Sequence, residues 1–61
     1  MYREHEYFTI EKHVEGYILR YRRYNDVVAK RFYIGYSRKE SIKSFRELTN
    51  TVGAHIEIIE Y

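Results

Sequence analysis

The sequence predicts an α+β fold in which three antiparallel strands, one helix and a fourth strand follow each other as β-β-β-α-β. Three early segments have the alternating polarity or the β-branched and aromatic content that is typical of strands. A strong helix-start signal follows them at Ser37. No internal repeat, low-complexity tract or linker is visible, so we expect residues 1–61 to form a single small domain.

Short polar turns separate the three strands of the predicted meander. In the first strand, Phe8 and Ile10 alternate with polar neighbours, as in a strand with one buried face. The later segments are rich in aromatic and β-branched residues, which favour strands. The predicted strands are residues 6–12, 17–24 and 27–36, with turns at residues 13–16 and at Asn25-Asp26.

The helix and the last strand have clear boundaries in the sequence. Ser37-Arg-Lys-Glu40 fits the capping box, in which the serine hydroxyl accepts from the N3 amide and the glutamate accepts from the cap amide. Gly53 can adopt the positive φ that ends a helix. Residues 55–61 form the fourth strand, which we expect to add parallel at an edge, beside either the third or the first strand. The apolar stripe of the helix is Ile42, Phe45, Leu48, Thr49 and Val52.

The register of the second hairpin decides which side chains lie on the face of the sheet without a helix. A loop with an even number of residues at Asn25-Asp26 pairs residues whose numbers sum to 51. Leu19 then lies opposite Phe32 on the apolar face, and Arg20 lies opposite Arg31 on the other face. An odd-numbered loop would set Leu19 opposite Arg31 and spoil the apolar face, so the even loop is our prediction.

The predicted face without a helix is basic and aromatic. Two arginines opposite each other disfavour folding by a few tenths to about 1 kcal/mol unless a counter-charge is present. Arginines held on a rigid strand suit phosphates and guanine edges. The same composition is also typical of a solvated sheet face, in which Arg stacks on Tyr without any ligand. The face is predicted to contain Arg20, Arg22 and Arg31 among Tyr7, Tyr24, Tyr33, Ile18 and Glu11.

Charge is distributed unevenly along the chain. The formal net charge is +2, but residues 20–46 contain nine Lys/Arg and three acidic residues, a net charge of +6. The flanking residues have a net charge of −4. This segregation indicates an anionic partner for the central part of the chain.

No catalytic or metal-binding signature stands out. The chain has no cysteine, which excludes disulfides and thiolate chemistry, and its histidines lack ligand spacing. Ser37 is assigned to capping, and Glu57 and Glu60 fall on opposite faces of a strand. We therefore expect no enzyme activity, cofactor or metal. Without a long apolar run or a signal peptide, the chain is expected to be soluble and cytoplasmic.

The predicted third strand ends in Phe32-Tyr-Ile-Gly35-Tyr-Ser37, and the helix that follows contains Glu40 and Leu48. On these residues, the segment from Gly16 to Leu48 resembles the small amino-terminal arm-type DNA-binding domain of tyrosine recombinases. The plant ethylene-response-type DNA-binding domain has a similar layout. The resemblance implies that the sheet enters the major groove of DNA. It implies contacts from Arg20, Arg22 and Arg31, with Tyr24 and Tyr33 in support. In size the chain is also similar to many small bacterial or phage proteins.

The sequence thus predicts a nucleic-acid-binding accessory or regulatory protein whose partner is duplex DNA. The alternative is a protein-interaction or homodimerisation module, with two copies joined through an edge strand and no chemistry of its own. A fall in affinity with salt would favour the first prediction, and a dimer that ignores DNA would favour the second. The predicted nucleic-acid contacts are Arg20, Arg22, Arg31, Lys30, Tyr24 and Tyr33.

Overall fold

The computed structural model describes the backbone of residues 2–61 and the side chains of residues 5–61. It confirms the predicted α+β class and the order β-β-β-α-β. At 11 residues, α1 is too short to cross a membrane, and the described residues contain no other helix. The elements are β1 (Tyr2–Lys12), β2 (Gly16–Arg23), β3 (Asp26–Ile34), α1 (Arg38–Leu48) and β4 (His55–Glu60).

The four strands form one mixed sheet in the order β3-β2-β1-β4. The first three strands are antiparallel neighbours, and β4 lies parallel to β1. Of the two edges that the sequence left open, β4 therefore takes the one beside β1. This position sets Ile58 next to Phe8 and buries Ile56 in the core. As a consequence, β3 is left at the opposite edge of the sheet, with β2 as its only neighbour among the described strands.

The hydrophobic core lies between α1 and one face of the sheet. Phe45 of α1 is fully buried, and its ring packs edge-on against Phe8 with the ring centroids 5.0 Å apart. Aromatic rings in this arrangement gain contact energy beyond the area they bury. The buried apolar residues are Phe8, Ile10, Leu19, Tyr21, Phe45 and Ile56.

The helix begins as predicted and ends earlier than predicted. The amide of Glu40 donates to the Ser37 hydroxyl and the amide of Ser37 donates to Glu40, each at 3.1 Å, so both bonds of the capping box are present. The C-cap is Thr49, and Val52 lies beyond the helix with its side chain exposed. Asn50 already has a positive φ of 57°, which ends the helix three residues before Gly53.

The predicted hairpin turn between β2 and β3 is wrong by one residue. Tyr24 and Asn25 have φ values of 52° and 76°, as the two central residues of a type I′ turn require. Arg23 pairs with Asp26, so Asp26 is the first residue of β3 and not part of the turn. The exposed Tyr24 ring stacks on His5 with the ring centroids 4.6 Å apart.

The predicted register between β2 and β3 is also wrong, because β3 contains a β-bulge. Arg22 pairs with Val27, but Tyr21 pairs with Ala29, so Val28 is an extra residue without a partner on β2. Beyond the bulge the paired residue numbers sum to 50, and Leu19 lies opposite Arg31. A one-residue shift moves every later side chain of a strand to the other face.

A charge opposite Leu19 is tolerated because α1 covers β3 only in part and leaves Arg31 exposed. Every residue of β3 is exposed or only half-buried, whereas β1 and β2 contain four of the six buried apolar residues of the core. The guanidinium of Arg31 therefore stays in water, and no desolvation penalty forces it off this face.

We expect Ser37→Ala to lower the free energy of unfolding by about 1 kcal/mol, because the substitution removes the side-chain acceptor for the Glu40 amide. Urea denaturation measures the change. Ser44→Ala is the matched control, since Ser44 lies within the same helix and has no capping role. Equal losses for the two variants would contradict the role of the cap.

Gly16→Ala is expected to cost more than about 2 kcal/mol, because a Cβ at this buried position would overlap the backbone carbonyl of Tyr33 on β3. The control is Gly53→Ala, where no atom lies within 4 Å and only the positive φ of 81° opposes a side chain. That variant should lose about 1 kcal/mol. Thermal and urea unfolding of both variants measure the two losses of stability. A larger loss for Gly53→Ala than for Gly16→Ala would contradict the expected overlap.

Candidate functional site

The sheet face opposite α1 is called the helix-free face. Its residues follow from strand alternation, because side chains next to the buried core residues point the other way. It mixes cationic, acidic, aromatic and aliphatic groups. Its members are Tyr7, Thr9 and Glu11 of β1, Ile18, Arg20 and Arg22 of β2, Val27, Lys30, Phe32 and Ile34 of β3, and Glu57 and Ile59 of β4.

The structure brings three of the six predicted contact residues together on this face. Arg20 and Arg22 lie on β2, and Lys30 lies on β3 directly opposite Arg20. The predicted pairing of Arg20 with Arg31 is wrong, because the bulge moves Arg31 to the face that carries α1. A cationic cluster is present, but with Lys30 in the place that the sequence assigned to Arg31.

The other three predicted residues lie elsewhere. Tyr33 shares the helix side with Arg31, and its ring contacts Phe45 with the ring centroids 6.3 Å apart. Burial raises the pKa of the Tyr33 hydroxyl above its ordinary value. Tyr24 occupies the hairpin turn at one end of the sheet. Neither tyrosine belongs to the helix-free face.

Arg20 forms an ion pair with an acid of the same chain. Its Nη1 atom lies 3.6 Å from Oε2 of Glu11, and Nε2 of His13 lies 3.3 Å from the same oxygen. The hydrogen bond with His13 lowers the pKa of the Glu11 carboxyl most, and the charge on Arg20 lowers it further. The charge of Arg20 is thus partly compensated, which weakens its attraction for an external anion.

Two buried polar atoms of the helix-free face have no hydrogen-bond partner among the described residues. They are Oγ1 of Thr9, a residue that is only 1% exposed, and Nε of Arg22. Nη1 of Arg22 donates to the Asn25 carbonyl at 3.3 Å, so the guanidinium is already held at its outer end. Unpaired buried polar groups disfavour folding, so each such group needs a physical reason. Both atoms lie on the face of the sheet that α1 does not cover.

Aliphatic and aromatic groups flank the cations. Phe32 and Ile34 are 46% and 62% exposed, although the predicted register placed Phe32 on the apolar face. A shallow pocket of about 330 Å³ beside Phe32 is lined by that residue and by His13, Val14 and Glu15. Sequence alternation alone did not reveal these exposed groups, because the bulge reverses the direction of Phe32. An apolar group beside cations can contact the bases or side chains of a partner.

Much of the basic segment at residues 20–46 is used inside the molecule. Arg23 lies 3.1 Å from Glu6, and Arg38 forms an ion pair with Glu60. Arg46 donates to the carbonyls of Thr51 and Ala54 and lies over the Phe8 ring. The charge excess in the sequence therefore does not form one continuous patch. What remains on the helix-free face is a small cationic group, opposed by Glu11 and Glu57.

Comparison with known proteins gives no match: no family model, curated protein or solved structure is significantly similar to this chain. The resemblance to the arm-type domain of tyrosine recombinases therefore stays a prediction. The fold itself departs from a three-stranded sheet, because β4 adds a fourth strand beside β1.

The Glu11 carboxyl should titrate below its ordinary pKa in the folded protein, and His13→Ala should raise that pKa towards the unperturbed value. Because the folded-state pKa is lowered, the group stabilises the fold above its unfolded-state pKa. That stabilisation is lost as the pH falls through the folded-state pKa. Carboxyl chemical shifts followed by NMR measure both values. An unchanged Glu11 pKa in the variant would contradict the proposed contact.

Proposed function

We propose that the protein binds nucleic acid through its helix-free face and has no catalytic role. The observation that carries the proposal is the placement of Arg20, Arg22 and Lys30 on adjacent strands, beside the exposed ring of Phe32. Cationic side chains attract the phosphate backbone, and an aromatic ring provides a surface on which a base can stack.

The width of the sheet favours an unpaired strand over a duplex. Four strands about 4.8 Å apart make a surface about 14 Å wide between the outer strands, before side chains are added. The major groove of B-DNA is only about 12 Å wide. A duplex would also bring its phosphates close to Glu57 on β4, because that strand forms the far side of the face. An extended single strand can instead follow β2 and β3 and avoid β4.

The exposed aromatic group supports the same choice. Phe32 has no hydrogen-bonding group, so it cannot read the edges of paired bases. Unpaired bases, by contrast, stack on aromatic side chains with a gain of about 1–3 kcal/mol per base. Arg20 and Lys30 lie opposite each other two pairs away from Phe32 and Ile18, which form the next pair on the same face. Base and phosphate contacts would therefore fall on neighbouring rows of the sheet.

We expect Arg20→Gln combined with Lys30→Gln to weaken the binding of a labelled single strand of about 20 nucleotides and to flatten its salt dependence. Each lost phosphate contact should lower the slope of log affinity against log salt by about 0.7. Fluorescence anisotropy at several salt concentrations measures this slope, and a duplex of equal length serves as the comparison probe.

The matched control is Lys39→Gln combined with Lys43→Gln, which changes the net charge equally but lies on α1. This control should leave most of the slope intact. Equal losses of affinity and slope in both double variants would show that only net charge attracts the strand. An absence of binding at about 50 mM salt would overturn the proposal. Tighter binding of the duplex would reverse the preference inferred from the width of the sheet.

A further inference from the structure

The outer edge of β3 is exposed along its length. One hydrogen bond shows which residues of β3 direct their backbone groups towards β2 and which direct them outwards. The amide of Gly35, just after β3, donates to the carbonyl of Glu15, just before β2, at 2.9 Å. In an antiparallel pair, the residues that bond to the neighbour alternate with those that do not. Ala29, Arg31 and Tyr33 therefore direct their backbone groups towards β2. Lys30, Phe32 and Ile34 direct theirs outwards, where none of the described strands lies.

We propose that this edge pairs antiparallel with the same edge of a second copy of the chain. A two-fold axis joins identical strands, which is the commonest symmetry of soluble dimers. Such pairing extends two four-stranded sheets into one sheet of eight strands. The other edge, β4, is shorter and contains Glu57 and Glu60, so two copies would repel each other there.

The register of this dimer follows from the bulge and from charge. The bulge at Val28 limits the regular part of the strand to residues 29–34. Within it, only two symmetric registers pair five residues, one centred on Arg31 and the other on Phe32. The first sets Arg31 opposite its own copy, which like-charge repulsion disfavours. The register centred on Phe32 sets neither cation opposite a cation.

Each pair in this register is chemically favourable. Phe32 lies opposite the partner's Phe32, which joins two exposed rings on the helix-free face. On the helix side, Arg31 lies opposite the partner's Tyr33, where a guanidinium can stack on a phenol ring. Lys30 lies opposite the partner's Ile34, so its aliphatic stem can cover an exposed isoleucine and leave the ammonium in water. This pairing gives Arg31 and Tyr33 a role that the helix-free face does not.

Cysteine pairs test this register directly, because the natural chain contains no cysteine. Lys30→Cys and Ile34→Cys are purified separately and mixed without nucleic acid under mild oxidation. The register sets these positions opposite each other with Cα atoms about 5.5 Å apart, within the range that a disulfide spans. The mixed disulfide should form about tenfold faster than either symmetric one, because pairing raises the effective concentration.

The control mixes Lys30→Cys with Val52→Cys, a residue that is 69% exposed and lies outside the strand. Equal rates in the two mixtures would overturn the proposal, as would a faster link between Lys30→Cys and Phe32→Cys, which reports the register centred on Arg31. Sedimentation equilibrium of the natural chain should show association that grows with concentration. A monomer at about millimolar concentration would also overturn the dimer, because the dissociation constant would then exceed about 1 mM.

A proline variant tests the backbone itself. The amide of Lys30 points away from β2, so Lys30→Pro removes an outward donor without breaking a bond inside the chain. Lys30→Ala removes the same side chain and keeps that donor. We expect dimerisation to be lost in the proline variant and retained in the alanine variant, with both proteins folded by circular dichroism. Equal association of the two would contradict pairing through the backbone.

Discussion

The bulge at Val28 is the constraint on which the arrangement of the third strand depends. The type I′ turn at Tyr24 and Asn25 sets Arg23 opposite Asp26, and without the bulge this register would continue to the end of β3. Phe32 and Ile34 would then lie on the helix side, and Tyr33 would lie on the other. The extra residue reverses this order, so Tyr33 packs against Phe45 and Phe32 lies exposed on the helix-free face.

The position of β3 at the rim explains why such a reversal costs little. A central strand has one face in the core, and a charged residue on that face would be desolvated. On β3, the small Ala29 and the long Tyr33 reach the core, while Arg31 between them remains in water. An edge strand can thus combine core contacts at two positions with a polar surface at the others. The same position leaves its outward backbone groups open to a partner.

The helix-free face and the β3 edge adjoin at Phe32, so the two proposals concern neighbouring surfaces. In a dimer centred on this residue, the helix-free faces of both copies would form one surface with the paired rings at its centre. Lys30 and Arg20 of each copy would flank that centre. The two surfaces remain physically separable, because one depends on side-chain charge and the other on outward backbone groups of a single strand.

Local signals in the sequence were sufficient for the elements and their order. The capping box at Ser37, the alternation around Phe8 and the apolar spacing around Phe45 involve neighbours in the chain, so their outcome does not depend on the rest of the fold. The hairpin register was not accessible in this way. A bulge leaves no sequence signature at Val27-Val28, and Asn25 suits either of two adjacent turns.

Only the tertiary structure decided which side chains share a surface. Counting charges along residues 20–46 gives an excess, but the partners of Arg20, Arg23 and Arg38 come from β1 and β4, which are distant in sequence. Likewise, the sequence left both edges of the sheet open to β4. The packing of Ile58 beside Phe8 and of Ile56 in the core determines that β4 lies next to β1. Sequence thus determined where each element begins, because capping and periodicity act locally. Packing between distant elements determined which groups are left for a partner.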